Sequence, residues 1–278
     1  MQTQRTEIDG MSVQYVQIGT PTPEHETLLF LHGWGAPTAF YPRLLSFIGE
    51  YLPVIAPDLP GFGGTDEPKT PWGVSEYADF VLHFAEKLGL QKVLLMGHSH
   101  GGRVSIEIAS RDTLPFALTR LVLMDAAGVL PKKTFRQKLR QRQYKICRTV
   151  LETRFCRALY PDALENLRRS HGSADYLNAT PMMRQVLVKC VNTDMTPKMP
   201  SIKQPALLLW GEKDTATPLS SGKRMESLIP GAALVAIPGG SHFPFLEDWG
   251  LFSRCWAATC HRITDQGEYD VSPDFNDP

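Results

Sequence analysis

The chain is expected to fold as an α/β protein: a mostly parallel central sheet of about eight strands, flanked by helices and carrying an inserted helical cap. Three observations predict this. Six short runs, residues 27–31, 54–56, 93–96, 121–124, 206–210 and 233–237, are continuously apolar. Continuous rather than alternating apolarity marks strands buried on both faces, as in a parallel sheet. Amphipathic stretches separate them; in residues 74–88, Tyr77, Phe80, Val81 and Phe84 share one helical stripe. Third, Gly97-His98-Ser99-His100-Gly101 joins the apolar run 93–96 to a helix-like stretch at 102–110. Strand and helix alternation of this kind builds layers connected by right-handed crossovers.

The chain begins with residues 5–8 and 12–17, joined by Asp9-Gly10, a pattern that predicts a hairpin. Two strands here and six apolar runs make the expected eight. The alternation breaks at residues 130–204, where helical patterns continue without a convincing strand. We therefore expect a first core part at 1–129, a cap or lid at 130–204 between the sixth and seventh strands, and a second core part at 205–278. Residues 132–169 hold twelve Lys or Arg and three Asp or Glu. A solvated helix face is the simpler reading; the sharper one is a lid whose charge draws anionic substrates toward a pocket. The tail, 265–278, is polar and acidic and is expected to fray.

Bulk properties remove several function classes. Lys plus Arg and Asp plus Glu both total 29, so charge supplies no reason to invoke nucleic acid. The opening Met1-Gln2-Thr3-Gln4-Arg5 lacks an apolar signal core, and no run approaches a membrane span, so a cytoplasmic location is expected. The five cysteines, Cys147, Cys156, Cys190, Cys255 and Cys260, are odd in number and lack paired or metal-type spacing. Cys255, Cys260 and His261 fall near one another, yet their spacing on a helix does not converge on one face. Reduced thiols are expected. The partner is expected to be a small-molecule substrate, and the oligomeric state stays open between monomer and homodimer.

Ser99 carries the chemistry. At the tip of a strand that turns abruptly into a helix, a serine is lifted out of the sheet, with helix N–H groups pointing toward it. A serine alcohol needs a base, best a histidine whose tautomer a carboxylate holds. Of eight histidines, His242 stands in Gly239-Gly240-Ser241-His242-Phe243, just past the last strand. Asp214, in Gly211-Glu212-Lys213-Asp214, follows the run 206–210. The order Ser99, Asp214, His242 suits a nucleophile elbow, each residue lying beyond the carboxyl end of its strand. Asp125, ending the run 121–124, is a rival carboxylate, although an Asp followed by Ala126-Ala127-Gly128 more simply starts a turn. Glu212 is expected to point away.

His98 and His100 flank the serine and cannot easily turn back onto its hydroxyl; His98 is expected to be packed and hydrogen-bonded beneath the elbow. His25, His83, His171 and His261 have no motif and default to surface or structural places. An oxyanion needs preorganised donors. The backbone N–H of His100 is one, and the N–H of Trp34, in the turn His32-Gly33-Trp34-Gly35, is the second. Residues 58–65, Asp58-Leu59-Pro60-Gly61-Phe62-Gly63-Gly64-Thr65, superficially suggest a phosphate loop. They lack the following Lys-Ser or Lys-Thr and a helix, so a structural turn is expected.

These motifs in this order resemble the α/β-hydrolase fold superfamily, in its serine branch with a helical cap. The matching pieces are His32 to Gly35, Asp58 to Asp66, Gly97 to Gly101, Trp210 to Asp214 and Gly240-Ser241-His242, spanning about residues 5–260. The resemblance implies that Ser99 is the nucleophile, His242 the general base and acid, Asp214 its orienting partner, and Trp34 with His100 the oxyanion hole. Branches that cleave halides or epoxides carry aspartate where Ser99 stands, so those activities are not expected. No metal or organic cofactor is implied. The expected reaction is hydrolysis of a carboxylic ester or similar acyl bond, with a small to medium hydrophobic acyl group favoured by the loops around Trp34, Phe243 and Phe245. One alternative is cleavage of a C–C bond in a diketone, or of a lactone, by the same triad, with Arg103 and the basic cap holding a carboxylate. Another is a small-molecule receptor with slow turnover.

Overall fold

The computed structural model describes residues 1–130, 135–160, 162–164, 166–167 and 173–261. Its eight strands are β1 (Gln2–Ile8), β2 (Met11–Ile18), β3 (Thr27–Leu31), β4 (Val54–Pro57), β5 (Lys92–His98), β6 (Ala117–Met124), β7 (Ala206–Gly211) and β8 (Ala232–Ile237). They form one sheet in the order β1-β2-β4-β3-β5-β6-β7-β8. β2 pairs antiparallel with both β1 and β4, and every other pair is parallel. The first two strands are the expected hairpin: Asp9 (φ 52°) and Gly10 (φ 74°) both take the left-handed conformation a tight hairpin turn requires.

The continuous apolar runs have a direct structural reason. In β3 the side chains alternate between two cores. Leu29 and Leu31 pack on one face with Tyr77, Phe80, Phe84 and Val104, from helices α2 (Val74–Lys87) and α3 (His100–Ala109). Leu28 and Phe30 pack on the other with Leu44, Leu45, Phe252 and Trp256, from α1 (Pro42–Ile48) and the helix Trp249–His261. Each fully buried Leu or Phe contributes about 1.5–3 kcal/mol, so neither face can turn polar cheaply. β8 departs from the pattern. As an edge strand it is only partly buried, although its sequence is as apolar as the central strands.

Between β6 and β7 the described residues include the α-helices Phe135–Leu151, Arg154–Leu159, Ala174–Asn178 and Pro181–Val191, and hold no strand. The last of these is anchored. Its Met183, Val186 and Cys190 are buried in the first core, and the helix starts on Thr180, whose hydroxyl accepts from Met183 N at 3.2 Å. The tail at 265–278, for which fraying was expected, lies outside the described residues, as does His171; the side chains of Cys260 and His261 are likewise outside them. No helix among the described residues is long and apolar enough to cross a membrane.

Chain order around β3 positions the site. From β3 the chain passes to β4 on one side and then crosses to β5 on the other, so the loops after β3 and β5 separate at a crevice. Ligands of open α/β sheets bind at such switch points, beyond the carboxyl ends of the strands.

Candidate active site

β5 runs into α3 through Ser99, which sits at φ 51°, ψ −110°, a conformation that side chains seldom adopt. Such strain costs on the order of 1–3 kcal/mol. It is held by Ser99 N donating to Met124 O at 3.0 Å and by the Ser99 carbonyl accepting from Ala127 N at 2.9 Å. Two glycines make the turn possible. A Cβ on Gly101 would strike the carbonyl of Leu31, and one on Gly97 would strike Ser105 Oγ and the Gly101 backbone. The elbow spacing is therefore a packing requirement: α3 starts against the backbone of β3.

His242 reaches the serine from the loop after β8. Its Nε2 lies 3.0 Å from Ser99 Oγ, and its Nδ1 lies 2.8 Å from Asp214 Oδ2. Asp214 Oδ1 accepts from the N–H groups of Ala216 (2.7 Å) and Thr217 (3.0 Å), and Oδ2 also accepts from Thr217 Oγ1 (2.6 Å). Burial alone would raise this carboxyl. The hydrogen bonds from His242 and from Thr217, through side chain and backbone, outweigh burial and hold it down to about 2. An ionised Asp214 fixes the proton on His242 Nδ1 and leaves Nε2 free to accept from Ser99.

The loops carrying these residues are tied together. Lys213 N donates to Gly240 O (2.8 Å) and Glu212 N to Ile237 O (3.1 Å), while Ser241 donates from both N and Oγ to Glu247. Glu212 points away from the triad, accepting from Gly239 N at 3.2 Å. Trp210 Nε1 donates to the Thr217 carbonyl at 2.7 Å and so fixes the turn that feeds Asp214.

His98 is fully buried under the elbow. Its Nε2 is 2.7 Å from the His242 carbonyl, so Nε2 carries the proton, and Nδ1 accepts from Tyr41 Oη at 2.8 Å; this tautomer is assigned from the network. Burial, with the neighbouring His242 charge, lowers His98 to about 3, so it stays neutral. Tyr41 Oη in turn accepts from Gly33 N at 3.2 Å. A chain of contacts thus runs from the loop after β3, through Tyr41 and His98, to the backbone of His242. His98 appeared in the sequence only as a packed residue; Tyr41 and Thr217 gave no motif, and Trp210 entered only as the first residue of the stretch Trp210 to Asp214.

The rival carboxylate, Asp125, takes a different place. Its Oδ1 accepts from Gly211 N at 2.8 Å, while Oδ2 is buried and, among the described residues, without a hydrogen-bond partner. Burial and the adjacent Asp214 push it up to about 9 despite the Gly211 N–H. Asp214 is thus the carboxylate on the imidazole and Asp125 a neutral acid behind it. Donor atoms of Asp125, Asp214 and His242 lie within 4.8 Å of one another. His242 Nδ1 and both Asp214 oxygens are already committed to the hydrogen bonds above.

Trp34 and His100 flank the serine, their rings edge-to-face with centroids 5.5 Å apart. Among the described residues neither backbone N–H donates to a protein acceptor. A Cβ on Gly33 would lie 3.3 Å from Ser99 Cβ and 2.8 Å from His98 Nδ1, which shows how closely this loop meets the elbow. Asp58 is buried and accepts from Thr38 N (2.9 Å), Thr38 Oγ1 (2.7 Å), Gln14 Nε2 (3.0 Å) and Gly64 N (3.0 Å), the behaviour of a structural turn.

A cavity of about 1320 Å³ opens over Ser99, lined by Trp34, Leu130, Leu187, Val191, Phe243 and the triad face of His242 among others. One expectation is corrected here. Phe245 does not line the cavity: it is buried in the second core, stacked on Tyr41 at 5.5 Å, because Pro244 starts a helical turn that carries it inward.

An acid, an imidazole and an alcohol in hydrogen-bonded series at the carboxyl edge of a parallel sheet form a constellation for nucleophilic attack on a carbonyl. The chain belongs to the α/β-hydrolase fold family, whose pattern it matches over residues 26–248. It is 24% identical over 254 residues to the uncharacterized hydrolase YugF of Bacillus subtilis, covering 86% of this chain and 90% of that one. It is 26% identical over 251 residues to the putative carbamate hydrolase RutD of Agrobacterium fabrum (84% and 93% covered). Among solved structures, a bacterial membrane phospholipase A superposes with a TM-score of 0.69 at 25% identity, over 92% of this chain and 84% of that one. The protein is accordingly a hydrolase of this fold.

Proposed function

We propose that the protein hydrolyses carboxylic esters, or similar acyl bonds, of small to medium substrates through an acyl-enzyme on Ser99. The observation that carries this reading is the unbroken series Ser99 Oγ, His242, Asp214, at 3.0 and 2.8 Å. His242 Nε2 takes the serine proton as Oγ attacks the carbonyl, and returns it to the leaving alcohol. A water then repeats the sequence and frees the acid. The N–H groups of Trp34 and His100 receive the oxyanion, a role consistent with their lack of protein acceptors. Serine at position 99 rather than a carboxylate argues for acyl transfer and against an alkyl-enzyme route. The carbamate named for one relative is likewise a carbonyl of acyl type.

The test is labelling with a fluorophosphonate followed by turnover of short-chain aryl esters. Wild type is expected to label at Ser99 and to turn over. Ser99→Ala is expected to do neither while keeping its melting temperature; undiminished turnover in that variant defeats the proposal.

A further inference from the structure

Arg103 stands one helical turn beyond Ser99 on α3, on the wall of the cavity, and is only 6% exposed. A guanidinium has five N–H donors. Among the described residues it makes one hydrogen bond, from Nη1 to the Thr193 carbonyl at 3.2 Å. Among the described residues no carboxylate comes within 4 Å of it. The acids that could have done so are turned elsewhere. Glu107, a further turn along α3, pairs with Lys198 (2.6 Å) and Arg111 (3.6 Å). Asp194, which also lines the cavity, has Oδ1 held by Thr196 N (3.1 Å) and Oδ2 by Thr196 Oγ1 (2.9 Å). Cys190 shares the wall, but burial pushes its thiol up to about 12, so it supplies no anion.

The charge of Asp194 is felt at Arg103 without touching it, and a buried cation with no anion in direct contact is costly, so proteins retain one chiefly where something pairs with it. A second polar group on the same wall is also unmatched. His100, three residues before Arg103, leaves Nε2 buried and, among the described residues, without a hydrogen-bond partner. Side chains one turn apart on a helix are separated by about 5–6 Å. An acyl group held at Ser99 would therefore reach Arg103 through a spacer of about two to four carbons.

Building on the acyl-transfer reading above, we propose that Arg103 recognises a carboxylate on the substrate, so that the preferred substrates are small esters whose acyl part ends in a carboxylate. A guanidinium offers two parallel N–H groups to such an anion, which also orients the ester carbonyl over Ser99. With monoethyl succinate the balance is simple: the ester and one water give the succinate dianion, ethanol and one proton.

The experiment compares kcat/KM of the full chain for monoethyl succinate and for ethyl 4-oxopentanoate, a neutral ester of nearly the same shape, by ethanol release. The wild type is expected to favour the anion by about tenfold or more, the range of a hydrogen bond to a charged group. Arg103→Met is expected to lower the anion-to-neutral ratio about 10- to 100-fold, mainly through KM, and Arg103→Lys to recover part of it. Equal kcat/KM values in the wild type, or a variant that lowers both substrates alike, overturn the proposal. Should Arg103→Met fail to fold, inhibition of wild-type 4-oxopentanoate turnover decides: succinate is expected to compete better than succinamide, and equal inhibition overturns the assignment. Turnover of neither ester, with Ser99 refractory to fluorophosphonate, sinks the acyl-transfer reading instead. Calorimetry with glutarate then judges Arg103 alone, saturable binding that Arg103→Met abolishes supporting the subsite and no binding ending it.

Discussion

Replacing Asp125 with Asn should stabilise the protein at neutral pH, and by an amount that grows with pH. In the folded chain Asp125 is buried beside the ionised Asp214 and is raised to about 9; in the unfolded chain it titrates near the ordinary carboxylate value of about 4. The group's folded pKa is raised, so its contribution is fully present below pH 4 and is lost progressively up to pH 9. Between those limits the folded state holds a proton that the unfolded state has released, and stability falls by about 1.4 kcal/mol per pH unit. Over about three units from pH 4 to 7 the cost approaches 4 kcal/mol, an upper figure because local relaxation lowers such penalties. Asn removes the titration and keeps the shape. Its carbonyl can accept from Gly211 N where Asp125 Oδ1 does now at 2.8 Å, and its amide can face Asp214. Urea unfolding of both proteins at pH 5, 6, 7 and 8 measures the difference. A gap that widens steadily, reaching about 2–4 kcal/mol at pH 7, is expected. A gap that stays flat across this range would mean that Asp125 is charged in the folded protein, and the reasoning fails.

Four further outcomes are expected. Asp214→Asn should leave the fold intact and lower kcat by about three to four orders of magnitude, since the imidazole then loses the tautomer that accepts from Ser99; steady-state ester kinetics read this directly. The lowered Asp214 works in the opposite sense to Asp125: its stabilisation is present above about pH 4 and is lost as pH falls toward 2, so Asp214→Asn should remove part of the acid limb of the unfolding curve. Tyr41→Phe leaves Gly33 N–H and His98 Nδ1 without their shared partner and should cost about 1–3 kcal/mol in denaturant titration. Gly101→Ala should prevent soluble expression or lower the melting temperature sharply, because its Cβ meets the backbone of Leu31 rather than a side chain able to move; wild-type thermal stability in that variant would contradict the packing of the elbow.

Much of this arrangement can be read along the chain, and the residues show why. Leu28 to Leu31 feed two separate cores by turns, so a central strand has no polar position and announces itself as a continuous run. β8 carries the same signature at a half-buried edge, since composition reports a strand's existence better than its place in the sheet. The elbow is legible because it tolerates only one residue type at two positions: Gly97 and Gly101 stand where any Cβ would collide. Asp214 and His242 could be nominated because each follows an apolar run.

Chain order did not decide which of two strand-end carboxylates meets the imidazole, for Asp125 and Asp214 are both Asp residues past a strand. Their roles diverge through neighbours distant in sequence. Asp214 receives Thr217 and His242 and ionises, while Asp125 receives one N–H in a buried site and keeps its proton. The bracing of His242 by Tyr41 and His98, the inward turn of Phe245 and the bond from Arg103 to the Thr193 carbonyl belong to the same class. Local sequence settles which backbone shapes and burial patterns are affordable, because sterics and periodicity act over a few residues. Charge state and hydrogen-bond partnership depend on what packs across the sheet, and only the folded chain decides them.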